Sequence, residues 1–282
     1  SKVRSAVSVL ASRLPNVVLM PAHRSTHANW GGSSIVRVQL LLMMEALRAY
    51  PNSDFFINLS AHDYPIKTDD YIHKYLAAHR GTSFVHVQHS LGHSSTPRHH
   101  SKFFLDCATM PVQVMGFSTS QQSKVHSQHG EAEEQPNRPA NAAETAAAVF
   151  DNRKIMNSVV RERGRANTYC IGSQWWMLSN DAVFFLLQSK QVQQEYYLQK
   201  NMHIPDEAFF QSLFLSEPAL QNTYKSTNLR FAKIRRGRCS TVTENSIAAL
   251  NASAALFARK IYDVKVLDKI DLMLLQKWQA DM

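Results

Sequence analysis

Short apolar runs alternating with amphipathic helical stretches leave this chain few architectures. Phe55 to Leu59 (FFINL) is apolar throughout rather than at every second position, the pattern of a strand buried on both faces, as in parallel sheets. Asn16 to Met20 (NVVLM) and Ser83 to Val87 read the same way. Between them, helices are expected over residues 1–14, with Val3, Val7, Leu10 and Leu14 on one side, then over Ser33–Tyr50 and Asp69–His79. Strand-helix alternation of this kind predicts an α/β domain built on a mainly parallel sheet flanked by helices.

The pattern breaks over residues 117–147, rich in Ser, Gln, Ala, Glu and Pro and poor in large apolar side chains. Such a segment cannot bury enough surface to offset the entropy of ordering, and is expected to be a disordered insert. Regular structure is expected again from about Asp151. Tyr169–Leu178 reads as apolar strand residues broken by a Gly-Ser turn, 181–188 as helix, Asn228–Ile234 as strand. Phe257–Ile261 precedes a last helix carrying Leu267, Ile270, Leu274 and Trp278. At 282 residues and 44% hydrophobic composition the chain has enough core for one large domain or two small ones.

With 31 Lys+Arg against 22 Asp+Glu, the formal charge of +9 attracts anions in general. No basic run is longer than Arg235-Arg236, and no basic-aromatic stripe suggests an RNA platform, so phosphate on a small ligand is as good a partner as a polynucleotide. The three cysteines, Cys107, Cys170 and Cys239, lack CxxC spacing, allow at most one disulfide and do not make a metal site. No stretch approaches the roughly 20 apolar residues of a membrane-spanning helix.

Four stretches can carry chemistry. In Pro205–Phe214 (PDEAFFQSLF), proline and two acids suit a first helical turn, and Phe209, Phe210, Leu213 and Phe214 share one face. Glu207 then sits at the rim of an apolar surface, where a general base can stand, although a pair of acids that only answers the helix dipole is the plainer reading. Trp30-Gly31-Gly32-Ser33 opens a helix and can present N–H groups to an anion, but it is neither GxGxxG nor a Walker loop. Asn58–Lys67 lies at the carboxyl end of an expected buried strand, where α/β sheets bind ligands; Asp63 and Tyr64 there can read a sugar hydroxyl or fix the turn before Pro65. Arg235, Arg236, Arg238, Arg259 and Lys260 concentrate positive charge near the carboxyl terminus. The histidines at 86, 89, 93, 99 and 100 read as solvated loop residues rather than a metal site. The chain has no Asp-x-Asp.

Taken in order, WGGSSIVRVQLLLMMEAL, FFINLSAHDYPIK, GSQWWMLS, PDEAFFQSL, NLRFAKI and LFARKIYD resemble the core-2/I-branching N-acetylglucosaminyltransferase and peptide O-xylosyltransferase family. FFLDCATM at Phe103 looks more like the xylosyltransferase branch. The resemblance implies a single glycosyltransferase A-type, Rossmann-like domain over residues 1–282. It also implies an inverting mechanism, a UDP-sugar donor, a protein or glycan acceptor and no required metal. Carried over by motif, Glu207 is the general base and Lys260 holds the donor diphosphate, with Arg238 or Arg236 as its partner. Asp63 and Trp30 map to the donor side, Trp175 and Gln174 to the acceptor side. Nucleic acid is not an expected partner.

Xylosyltransferases carry Asp where this chain has Gln174, which puts the acceptor in question. The family's usual first strand and nucleotide-binding segment have no counterpart ahead of residue 1, so an N-terminally trimmed domain is expected. By analogy the whole protein would sit in the Golgi lumen behind an upstream type II membrane anchor. The competing reading is a degenerate module that binds a UDP-sugar or glycan without turnover.

Overall fold

A computed structural model describes residues 2–90, 170–200, 202–235 and 238–280. The expected insert at 117–147, and the His93, His99 and His100 loop, lie outside the described residues. Helices are α1 (Lys2–Arg13), α2 (Ser34–Ala49), α3 (Asp69–Ala77), α4 (Asn180–Gln188), α5 (Lys190–Gln199), α6 (Phe209–Ser216), α7 (Ile247–Ala252) and α8 (Val264–Ala280). Strands are β1 (Phe55–Ile57), β2 (Tyr64–Pro65), β3 (Ser83–Ser90), β4 (Cys170–Ser179), β5 (Tyr224–Lys225), β6 (Arg230–Arg235), β7 (Arg238–Ser240) and β8 (Phe257–Arg259).

The fold is mixed α/β, with two four-stranded sheets ordered β1-β4-β3-β5 and β2-β8-β6-β7. Pairing is mixed too. Only β3-β5 and β6-β8 run parallel among the described strands, whereas β1-β4, β3-β4, β2-β8 and β6-β7 are antiparallel. The expectation of a mainly parallel sheet is therefore corrected. It rested on continuous apolar runs, which report burial on both faces and not strand direction.

Burial on both faces is what β4 shows. Trp176 and Leu178 enter a core with Val36, Leu40, Met43, Val183, Leu186, Phe209, Phe210, Leu213 and Phe214, drawn from α2, α4 and α6. Met177, between them, faces the opposite way into a core with Phe84, Leu229, Leu256 and Phe257, against which Ile72, Tyr75 and Leu76 of α3 pack. A third core joins Ile66, Val242, Leu250, Ala258, Val266 and Ile270, and holds α7 and α8 against the second sheet.

Several boundaries differ from expectation. Asn16–Met20 forms no strand, and its apolar side chains remain partly or largely exposed. The Gly-Ser in the fourth run is not a turn: β4 continues through it, with register shifts opposite Val85–His89. A Cβ on Gly172 would lie 1.8 Å from the His86 carbonyl oxygen, so glycine here permits close strand approach. The last helix buries Val266, Ile270 and Met273, and the expected Leu267 and Leu274 pack against the same core, while Trp278 stays 48% exposed, so the expected stripe fails only at its end.

Candidate active site

The Pro205–Phe214 stretch is two elements, not one helix. Pro205–Glu207 is a short 3-10 turn, and α6 starts beyond Ala208. The four apolar residues singled out for the buried face, Phe209, Phe210, Leu213 and Phe214, are all fully buried. At roughly 1.5–3 kcal/mol for each buried side chain, they fix α6 and the turn ahead of it.

That turn is set against the glycine loop before α2. The Ile204 N–H donates to the Gly31 carbonyl at 2.8 Å, and the Glu207 N–H donates to the Ile204 carbonyl at 3.2 Å. Ile204 is left-handed at φ 59°, a conformation disfavoured for a β-branched residue that its surroundings must hold at a cost of about 1–3 kcal/mol. Gly31 is also left-handed, at φ 78°, and a Cβ there would meet His203 Nε2 at 3.0 Å. The Trp30 ring, 75% exposed, meets the His203 ring edge-on at 5.6 Å. Trp30 is thus brought beside the turn that carries Glu207. Ser33 precedes α2 without a side-chain cap, and it is Ser34 Oγ that accepts from the Asn29 N–H at 2.9 Å.

Burial drives the Glu207 carboxyl up to about 7, with the neighbouring Asp206 charge adding to it. Asp206 is 2% exposed, and burial raises it to about 6, opposed by a backbone hydrogen bond. A carboxyl poised near neutrality can accept a proton from a hydroxyl.

A second cluster is strung along β4. Ser173 Oγ accepts from Asn228 Nδ2 at 3.0 Å and from the Trp175 N–H at 3.2 Å, while the Ser173 carbonyl accepts from Gln211 Nε2 at 2.7 Å. Gln211 lies in α6, so one hydrogen bond ties the Glu207 region to this cluster. The Gln174 carbonyl accepts from Asn58 Nδ2 at 3.1 Å, and the Gln174 and Trp175 side chains are half-buried.

Above the Trp175 ring lie two guanidinium groups, Arg259 at 3.7 Å and Arg230 at 5.3 Å from its centre. Arg230 Nε stands 3.4 Å from Asp63 Oδ1, and both side chains are fully buried. Asp63 Oδ2 also accepts from the Ser60 N–H at 2.7 Å. Burial lowers Arg230 to about 10 against the pull of Asp63, and it lowers Arg259 as well. The Asp63 carboxylate is therefore enclosed as a counter-ion and is not presented to solvent. Sequence reasoning missed Arg230 altogether and took Arg259 only as part of a cationic patch. The available signal was an arginine inside an otherwise apolar strand, as in NLRFAKI and LFARK.

Lys260 follows β8 and is half-buried. Its carbonyl accepts from the Val242 N–H at 2.8 Å, and the next residue, Ile261, donates to the His62 carbonyl at 3.0 Å. Lys260 thus adjoins the loop that bears Asp63. Arg238 starts β7, its backbone paired with Arg235 at the end of the β6-β7 hairpin, and Arg236 lies outside the described residues. His86 and His89 belong to β3, which rules out a shared helix face for His89 and His93. Among the described residues, no group of three or more His, Cys, Asp or Glu is placed to hold a metal ion.

Residues 1–257 match the family model described as Core-2/I-Branching enzyme. Among curated proteins, the chain is 39% identical over 71 residues to a xylosyltransferase of Ciona intestinalis, covering 25% of this chain and 8% of that protein. It is 40% identical over 76 residues to xylosyltransferase oxt of Drosophila melanogaster, covering 27% and 8%. Against xylosyltransferase 1 of Rattus norvegicus it is 37% identical over 84 residues, covering 28% and 10%. The matched segment spans a tenth or less of the length of these relatives.

Proposed function

Because the chain belongs to the Core-2/I-Branching enzyme family, we propose that it is an inverting glycosyltransferase. The sugar, xylose or N-acetylglucosamine, passes from a UDP-sugar to a hydroxyl of a protein or glycan acceptor. The similarity to xylosyltransferases over a quarter of the chain favours xylose. On this reading the fold is a variant of the glycosyltransferase A type, and the whole protein works in the Golgi lumen. Among the described residues no helix is long and apolar enough to cross a membrane.

The observation that carries the reading is the Glu207 carboxyl, lifted to about 7 at the rim of a packed helix and beside an exposed tryptophan. Glu207 accepts the acceptor proton as that oxygen attacks the anomeric carbon and the bond to the UDP oxygen breaks. Charge then builds on the diphosphate. Lys260, with Arg238 or Arg236, stabilises it without a divalent cation. Trp30 lies on the donor side and Trp175 and Gln174 on the acceptor side. Asp63 serves the donor side through the arginines that it neutralises.

The test is Glu207→Gln assayed with UDP-xylose and UDP-N-acetylglucosamine, beside calorimetric UDP titration with and without EDTA. Glu207→Gln should lose transfer by about a hundredfold or more while UDP affinity stays within about twofold. Retained turnover removes Glu207 from the mechanism. UDP affinity that collapses with EDTA rejects metal independence.

A further inference from the structure

The turn that carries Glu207 holds a second carboxyl that the chemistry above leaves unused. Asp206 is 2% exposed, and its Oδ1 accepts no hydrogen bond. It cannot reach a substrate from there. A buried carboxylate oxygen without a donor is costly, and exchange for an amide or apolar side chain would relieve the cost. A group so placed acts on its neighbour, since a charge in a water-poor setting is weakly screened.

Among the described residues, the elements packed against the turn carry few ionisable groups. Of the elements packed against it, α6 carries none, β4 carries the Cys170 thiol, and α2 carries Arg37, Glu45 and Arg48. Glu45 is already engaged by Arg24 and Arg48. His203 stands just before the turn, in edge contact with Trp30. The Asp206 charge adds to the burial that raises the Glu207 carboxyl.

We propose that Asp206 is a positioning residue for Glu207: a buried negative charge, one residue away, that strengthens Glu207 as a base and takes no part in the reaction itself. This rests on Glu207 being the general base. The proton moves only from the acceptor hydroxyl to Glu207, and Asp206 exchanges none with substrate. Once ionised, Asp206 opposes loss of the Glu207 proton, so Glu207 holds a proton more tightly as product than an isolated carboxylate would.

The experiment is a carbon-13 NMR titration of the 282-residue chain with carboxyl-labelled Glu and Asp, assigned by difference against Glu207→Gln. In the unsubstituted protein the Glu207 resonance should show two inflections, one as Asp206 ionises and one of its own. In Asp206→Asn and Asp206→Ala the first should vanish and the second should move to lower pH by roughly half a unit or more. The acid limb of the transfer rate should move the same way, with kcat falling roughly two- to tenfold and KM unchanged. A Glu207 titration with a single inflection, or one unmoved in a folded Asp206 variant, overturns the proposal. Because the titration is read without substrate, it judges Asp206 even if Glu207→Gln keeps turnover and the general-base reading falls.

Discussion

Two adjacent carboxyls on a three-residue turn dominate the residue scale. Asp206 rises from 3.8 to about 6 and Glu207 from 4.5 to about 7, both chiefly by burial. For an acid whose folded pKa is raised, the native state binds the proton more tightly than the unfolded chain. Its contribution to stability is fullest below the unfolded value and is lost as pH rises through the folded one. This pair therefore erodes stability between about pH 4 and pH 7. Asp206→Asn should make the Tm less sensitive to pH across that window than in the unsubstituted protein, as differential scanning calorimetry at stepped pH would read. Equal slopes would mean that the unfolded chain perturbs Asp206 as much as the fold does. With Glu207 as the proposed base, which must be unprotonated to act, transfer should in turn rise with pH through about 7.

At the scale of elements, the close approach of β3 and β4 and the seating of α6 decide where the candidate site lies. Gly172→Ala forces a methyl group into the space of the His86 carbonyl, which would sit 1.8 Å away. The strands must part, and Ser173, Trp175 and the hydrogen bond from Gln211 move with them. A loss of several kcal/mol is expected, of the order of 3 or more, with soluble yield or chemical denaturation as the measure. Near-normal stability would show that β4 can bend away locally. Helix α6 is different in kind, because its seating was legible beforehand: PDEAFFQSLF announces both a start signal and an apolar face. What the letters did not disclose was the break at Ala208, whose φ of -134° leaves the helical region between the turn and α6.

The whole molecule carries 31 basic against 22 acidic residues, a field that draws in a diphosphate wherever the site lies. UDP affinity should therefore fall as salt rises from about 0.05 to 0.5 M, since the Debye length shrinks well below 10 Å. Lys260→Ala should lower that affinity and flatten the salt dependence, both read by calorimetry. A salt slope unchanged by Lys260→Ala would remove that lysine from the diphosphate.

By itself the sequence determined the mixed α/β class, the helices at 34–49, 69–77 and 180–188, and the nearness of Glu207 to a packed face. It could do so because periodicity and start signals act within a few residues of each other. Strand direction, the second sheet and the Asp63–Arg230–Arg259–Trp175 cluster belong to the tertiary structure alone. Asp63 and Arg230 are 167 residues apart in sequence, and an arginine in an apolar strand does not say which carboxylate neutralises it. Only the folded chain puts Arg230 beside Asp63 and both under the cover of other groups. The same holds for the Glu207 carboxyl: its raised proton affinity is made by the burial around it and by Asp206, and burial is decided by what the rest of the chain packs against that turn.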